Sequence, residues 1–159
     1  MSIEKARAAL KKWNLDGKIL EFDVSSATVE LAAKALGTSP ARIAKSLTFL
    51  VGDAPVMVVA AGDARIDNAR FKARFHAKAK MLTASQVAEL IGHEVGGVCP
   101  FGINPGVEVY LDVSMKRFET VYPACGSSNS AIELTPEQLE EICAAPWVDV
   151  CKSWREDEA

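Results

Sequence analysis

The chain lacks the features that mark a metalloprotein, a membrane protein or a disulfide-stabilised domain. Its 159 residues include two histidines and four cysteines, and the cysteines neither form a CxxC pair nor cluster with His76 or His93. Zinc sites usually need closely spaced ligand pairs, so we expect no metal. No apolar run approaches the ~20 residues that span a bilayer, and the charged N-terminus lacks the apolar core of a signal peptide. These absences favour a cytoplasmic protein with free thiols.

The sequence also lacks the strong positive charge of a protein that coats nucleic acid, because its net charge is −3. The charge is unevenly distributed, however. Six basic residues and one acid lie between residues 65 and 80, whereas eight acids and two basic residues lie between 133 and 159. This asymmetry permits a local contact with phosphate on one part of the surface.

Length and composition predict one globular domain over residues 1–159, since 49% of the residues are hydrophobic. Caps and apolar periodicity predict helices near the N-terminus and at 28–37, 67–75, 83–92 and 135–143. Runs of β-forming residues predict strands at 18–24, 46–51, 56–62, 107–113 and 147–154. The short polar link between the strands at 46–51 and 56–62 predicts an antiparallel hairpin. The mixture of elements indicates a compact α+β fold.

Lys45 is predicted to lie where a helical turn at 39–45 meets the apolar strand 46–51. A lysine at such a boundary commonly packs its stem on apolar surface while its ammonium reaches water. The alternative is that the ammonium faces a pocket and binds a ligand. The residues around Lys45 leave both interpretations open.

Two loops are rich in small or conformationally unusual residues. The segment EVGGVCPFGINPG (94–106) holds four glycines and two prolines, and YPACGSSNSAIEL (122–134) offers several small hydrogen-bonding groups. Glycines allow backbone N–H groups to approach a ligand, as in phosphate and oxyanion sites, but both loops are equally typical of ordinary turns. Cys125 would need a distant histidine to act as a nucleophile, a pairing that nothing in the sequence supports.

Three segments taken together resemble a known family. LGTSPARIAKSL (36–47), GGVCPFG (96–102) and ACGSSNSAIELTPEQL (124–139) are similar to the YbaK/ProX (EbsC-like) aminoacyl-tRNA deacylases, relatives of the editing domain of bacterial prolyl-tRNA synthetases. The resemblance covers nearly the whole chain. It implies an α+β fold with a central, mixed, barrel-like β-sheet surrounded by helices. It also implies hydrolysis, in trans and without a cofactor, of the ester joining a wrong amino acid to a tRNA, usually tRNA(Pro).

The resemblance assigns roles to individual residues. It implies that Lys45 binds and polarises the ester, and that the loop ending at Gly102 stabilises the developing oxyanion. The substrate-binding residues it implies are Phe22, Ser46, Gly96, Gly97, Pro100, Phe101, Gly126, Ser127 and Ser128. The expected contacts with the tRNA acceptor stem are Arg70, Lys72 and Arg74, for which the alternative is a solvated basic helix face.

The late loop departs from the better-known branches of this family. Members that remove cysteine carry a loop resembling SAGRRG, whereas this chain reads ACGSSN at 124–129. Members that clear alanine carry a histidine in this loop, and none is present here. The chain is therefore closer to the EbsC-like branch, and no amino acid is named as its substrate. Two other functions stay open: a non-catalytic module that binds aminoacyl-tRNA or a nucleotide, and a regulatory partner that docks on a synthetase through the acidic C-terminal third.

Overall fold

A computed structural model describes residues 2–155 of the chain. The helices are α1 (Ser2–Lys11), α2 (Val29–Leu36), α3 (Asn68–Phe75), α4 (Ala84–Gln86) and α5 (Pro136–Cys143). The strands are β1 (Leu20–Glu21), β2 (Ile43–Val51), β3 (Ala54–Ala61), β4 (Arg65–Ile66), β5 (Glu108–Asp112), β6 (Tyr122–Pro123), β7 (Ser130–Ala131), β8 (Trp147–Val148) and β9 (Cys151–Lys152). None of these helices is long and apolar enough to cross a bilayer.

The strands form a central five-stranded mixed sheet and two two-stranded sheets, β1-β7 and β4-β9. The order is β6-β2-β3-β5-β8, in which β2 and β3 are antiparallel and the other neighbours are parallel. Strand β7 pairs with β1, and isolated bridges from Ala131 to Ala124 and from Leu134 to Val121 connect this pair to β6. The predicted α+β fold with a mixed sheet and flanking helices is confirmed, as is the β2–β3 hairpin.

Local capping explains where several helices begin. Thr28 accepts a hydrogen bond from the N–H of Leu31 at the start of α2, and Gly37 ends that helix with a φ of 68°. Thr83 and Gln86 form a reciprocal capping box at α4. The predicted helix at 83–92 therefore begins as expected, but from Val87 it continues as a π-helical turn.

Three predicted elements differ from the structure. The strand predicted at 18–24 is reduced to β1, and the one predicted at 147–154 is divided into β8 and β9. The helical turn predicted over 39–45 is a 3-10 turn that ends at Arg42. Lys45 therefore lies inside a strand, because Ile43 and Ala44 already pair with β6.

Aromatic packing joins α3 to one face of the sheet. The ring of Phe71 lies 4.9 Å from Phe49 and 4.6 Å from Phe75, and Phe75 in turn lies 5.0 Å from Tyr110. Phe49 and Phe71 are almost completely buried. This packing fixes the position of β2, the strand that carries Lys45.

Candidate active site

A cavity of about 320 Å³ lies beside β2. Residues 26–29, 43–46, 81–82, 95–96 and 130–131 contribute to its walls. The cavity thus brings together the start of α2, the edge of the sheet and both glycine-containing loops. Among the described residues that line it, Lys45 carries the only formal charge, and none is a carboxylate or an imidazole.

Lys45 is half-buried in the wall of this cavity, and main-chain oxygens hold its ammonium group. Its Nζ donates to the carbonyl of Gly62 at 3.2 Å and to the carbonyl of Ala64. Burial lowers the pKa of Lys45, because desolvation disfavours the charged form. Carbonyl acceptors satisfy two of the three ammonium donors without neutralising the charge. The third N–H has no acceptor among the described residues.

The turn that supplies these carbonyls, residues 61–64, is itself fixed from outside. The guanidinium of Arg117 donates two hydrogen bonds to the Asp63 carboxylate, at 2.6 and 3.0 Å. The buried hydroxyl of Ser114 accepts a bond of 3.1 Å from the Ala61 N–H. A bidentate, charge-assisted pair restricts orientation as well as distance. Arg117 and Ser114 are therefore positioning residues for Lys45.

Removing this anchor is expected to loosen the turn. The Ala64 N–H donates to the Ala61 carbonyl at 3.0 Å and should be protected from exchange while the turn is closed. We expect Arg117→Met to speed exchange of that amide about tenfold, the effect of ~1.4 kcal/mol on local opening. Hydrogen exchange followed by NMR measures it. The matched control is Lys116→Met, which removes a neighbouring cation that lies over the Trp147 ring. Equal exchange in both variants would contradict the anchoring role.

Both glycine-containing loops reach the cavity region and touch each other through their backbones. Gly96 lines the cavity and faces Ala27 and Ser128. A Cβ added at Gly97 would lie 2.8 Å from the carbonyl carbon of Gly126. Real Cβ atoms do not approach so closely, so the contact requires glycine at position 97. The two loops therefore form one wall.

Pro100, Phe101 and Gly102 lie away from this cavity. Phe101 is 1% exposed within the core. Pro100 and Gly102 line a different cavity, of about 560 Å³, beside α1 and α5. Gly102 has a φ of 66°, and a Cβ there would lie 2.4 Å from the carbonyl oxygen of Lys5. Packing against α1 thus explains this glycine, and its position does not support the predicted catalytic role.

Gly126, Ser127 and Ser128 line a neighbouring cavity of about 450 Å³. It shares Val95 with the Lys45 cavity. Phe22 lines neither cavity, but its N–H donates to the carbonyl of residue 129 at 2.8 Å. Ser46 and Gly96 thus line the Lys45 cavity, and Gly97 lines its neighbour together with the three residues of the late loop. Phe22 supports that loop rather than forming a wall.

The predicted tRNA-contact residues lie on α3, and none of them lines the Lys45 cavity. Arg70 is ion-paired with Asp149 at 2.9 Å. The guanidinium of Arg74 lies 5.2 Å from the ring centre of Tyr110. Lys72 is exposed. A contact between α3 and the acceptor stem therefore stays a prediction. Part of the positive charge on this surface is already paired with a carboxylate.

The acidic C-terminal third, predicted as a docking face for a synthetase, is partly engaged in local contacts. Glu133 accepts a hydrogen bond of 2.6 Å from Thr120, and Glu140 accepts one from the indole of Trp147. Asp149 also pairs with Arg155, at 2.8 Å. Three further acids of this region lie outside the described residues: Glu156, Asp157 and Glu158.

The cysteines are free, and burial makes them poor nucleophiles. Desolvation raises the pKa of Cys125 and raises that of Cys99 to about 12. His93 lies beside Cys99, with 3.5 Å between Nε2 and Sγ, and its Nε2 donates to the carbonyl of Phe101 at 2.6 Å. This arrangement gives no support to a couple between Cys125 and a histidine. Among residues 2–155, no three His, Cys, Asp or Glu side chains are grouped closely enough to hold a metal.

Sequence reasoning missed the residues that support Lys45 from other parts of the chain. The turn at 61–64 and its anchor Arg117 belong to this set. Tyr122, which lines the cavity, was also not singled out from the sequence. Thr28, which caps α2, also lines the cavity. Long-range pairing determines these positions, and no local pattern marks them.

The chain thus combines a mixed sheet with a half-buried lysine beside a small cavity, and its sequence and fold can be compared with those of known proteins. Residues 24–142 match the model of the aminoacyl-tRNA editing domain, and the chain belongs to this family. It is 54% identical over 156 residues to the uncharacterized protein YwhH of Bacillus subtilis (strain 168), a match that covers 97% of this chain and 99% of YwhH.

Two further comparisons connect the fold to prolyl-tRNA synthetase. The chain is 29% identical over 115 residues to the proline–tRNA ligase of Geobacillus sp. (strain WCH70), covering 70% of this chain and 20% of the ligase. It therefore corresponds to about a fifth of that enzyme. A crystal structure of a candidate trans-editing enzyme for prolyl-tRNA synthetase superimposes with a TM-score of 0.85 at 27% identity, covering 94% of this chain and 96% of the other. The predicted relationship to editing domains is confirmed.

Proposed function

We propose that this protein hydrolyses the ester of a mischarged aminoacyl-tRNA, in trans and in the cytoplasm, with tRNA(Pro) as the preferred carrier. Membership of the aminoacyl-tRNA editing family supports the class of substrate. Similarity to a candidate trans-editing enzyme and to proline–tRNA ligases supports the carrier. The observation that carries the proposal is that Lys45 lines the cavity and that main-chain carbonyls, rather than a carboxylate, hold its ammonium.

The cavity volume supports a small acyl group as the occupant. Ligand pockets commonly measure about 300–1,000 Å³, and about 320 Å³ lies at the lower end of that range. This space suits an aminoacyl group with part of the ribose. The rest of the terminal nucleotide would then lie outside it, towards the cavity that Ser127 and Ser128 line.

The reaction needs no nucleophilic side chain. A water oxygen attacks the ester carbon, and the Lys45 ammonium stabilises the negative charge that develops on the carbonyl oxygen. The bond between the carbonyl carbon and the ribose oxygen then breaks, and the ribose oxygen takes a proton that comes from the water. The products are the free amino acid and tRNA with a 3′-terminal hydroxyl. No described lining residue is a carboxylate or an imidazole, so the proton passes through substrate groups or water.

A deacylation screen tests this function. Purified protein is incubated with tRNA(Pro) charged in turn with alanine, cysteine, serine, threonine and proline, and the remaining ester is measured over time. We expect at least one mischarged ester to disappear faster than in buffer, while prolyl-tRNA(Pro) persists. If none of these esters is hydrolysed faster than in buffer, the proposed enzymatic function is contradicted.

A non-catalytic binding module is the second candidate, and the absence of a general base among the described lining residues favours it. Such a module would hold the aminoacyl end in the same cavity without cleaving it. The same screen separates the two candidates, because a binder at stoichiometric concentration would slow the spontaneous loss of the ester below the buffer rate.

A further inference from the structure

The outer edge of β2 is interrupted beside the cavity. Strand β6 pairs only with Ile43 and Ala44. Further along β2, the next contact on this edge is an isolated bridge between Phe49 and Met81. Within the part of the chain that the structure describes, no strand pairs with residues 45–47 on this side. A strand rises about 3.3 Å per residue, so the gap is long enough for one additional residue.

The hydrogen-bonding directions of β2 identify which groups face the gap. A strand residue points its N–H and its C=O to the same neighbour, and successive residues alternate between neighbours. The Leu50 N–H donates outwards to the Lys80 carbonyl at 2.9 Å, and the Thr48 carbonyl accepts from the Leu82 N–H at 3.1 Å. Ser46, two residues earlier, therefore presents both its N–H and its C=O to the gap.

The side chain of Ser46 adds a third group. Its Oγ is buried and has no hydrogen-bond partner among the described residues. Ser46 lines the cavity, as do Ala44 and Thr48 beside it in β2 and Met81 and Ala124 in the flanking segments. The cavity therefore runs along the gap. Leaving a buried hydroxyl unpaired costs ~1–3 kcal/mol, so the unpaired Oγ marks the gap as a place where neighbouring groups of the chain do not satisfy the polar atoms of β2.

We propose that the aminoacyl group of the substrate fills this gap as a one-residue strand. An α-amino acyl ester carries a nitrogen and a carbonyl in the arrangement of a strand residue, so it can exchange both hydrogen bonds with Ser46. The Ser46 N–H donates to the ester carbonyl, the oxygen that becomes negative during hydrolysis. The α-ammonium of the substrate donates to the Ser46 carbonyl.

This inference rests on the proposed function and specifies the class of ester. The site takes α-amino acyl esters whose α-ammonium is free, and it rejects esters whose nitrogen is blocked. Acetylation of that nitrogen removes its positive charge and adds bulk where the Ser46 carbonyl must approach. Charge-assisted hydrogen bonds are about twice as strong as neutral ones, so we expect N-acetylation to weaken binding by about tenfold or more.

The test uses a ligand that cannot be hydrolysed, 3′-alanylamido-3′-deoxyadenosine, and its N-acetyl derivative. Each is titrated into ¹⁵N-labelled wild-type protein while the amide protons are followed by NMR. We expect the Ser46 amide proton to move downfield with the unblocked ligand. The Leu50 amide is the internal control, because it is already bonded to Lys80 and should not move.

Two variants at one position separate the main chain from the side chain. Ser46→Ala keeps both main-chain groups and should bind the unblocked ligand within about threefold of wild type. Ser46→Pro removes the outward N–H without removing a bond to β3, and should bind about tenfold more weakly or worse. Where the proline variant does not fold, the wild-type titration decides.

The outcomes are distinct from those of the deacylation screen. An unmoved Ser46 amide, equal binding of both ligands, or binding of neither would overturn the inference, while hydrolysis in the screen would leave the proposed enzyme standing. A shifted Ser46 amide and weak binding of the acetylated ligand, without ester hydrolysis, would support the inference and contradict the proposed enzyme.

Discussion

Replacing Lys45 with methionine is expected to lower the rate of ester hydrolysis by about 100- to 1,000-fold, the usual effect of removing one oxyanion donor. Methionine preserves most of the length and volume of the side chain, so the loss would come from the charge. The buried ammonium bonds to the carbonyls of Gly62 and Ala64. Its charge is costly to bury, and its removal should therefore leave the free energy of unfolding within about 1 kcal/mol of wild type.

Single-turnover deacylation and urea unfolding measure these two effects separately. Lys34→Met is the matched control, because Lys34 is an exposed lysine in the last turn of α2. It should retain the wild-type rate. A Lys45→Met variant that keeps its activity within threefold would remove the ammonium from the mechanism.

Replacing Gly62 with alanine is expected to impair stability and activity together. The added Cβ would lie 2.0 Å from the carbonyl oxygen of Pro40 and 2.8 Å from Cγ1 of Val29. Overpacking of this kind typically costs about 1–3 kcal/mol, and the turn at 61–64 must move to relieve it. The carbonyl that binds Lys45 would move with the turn, so we expect at least a tenfold lower rate of hydrolysis.

Gly17→Ala is the control for this substitution. Nothing lies within 4 Å of a Cβ at Gly17, and its φ is not positive. Thermal unfolding and single-turnover deacylation of both variants are the measurements. Should Gly62→Ala match Gly17→Ala in melting temperature and rate, the close packing at this turn would have no functional importance.

The sequence drew attention to Lys45 but did not reveal which groups hold its ammonium. The residues around Lys45 left open whether its ammonium reaches water or faces a pocket, and in the structure Lys45 lines a cavity. The partners of the ammonium are carbonyls 17 and 19 residues away. Main-chain oxygens carry no side-chain signature, so only the three-dimensional turn reveals them.

The roles of the glycines and of the basic residues could not be read from the sequence, for different reasons. Gly97 and Gly102 look alike in the sequence, but one contacts Gly126 beside the cavity and the other packs against Lys5. Both contacts demand glycine, so local sequence cannot separate them. The helix that carries Arg70 was predicted correctly, but one counter-ion of Arg70, Asp149, is 79 residues away. Such pairing depends on the topology of the sheet.

The walls of the Lys45 cavity come from residues as early as Ser26 and as late as Ala131. A growing polypeptide that ends before Ala131 therefore has no binding chamber, however well its first helices and its hairpin have formed. The cavity can therefore be complete only after almost the whole chain has been synthesised.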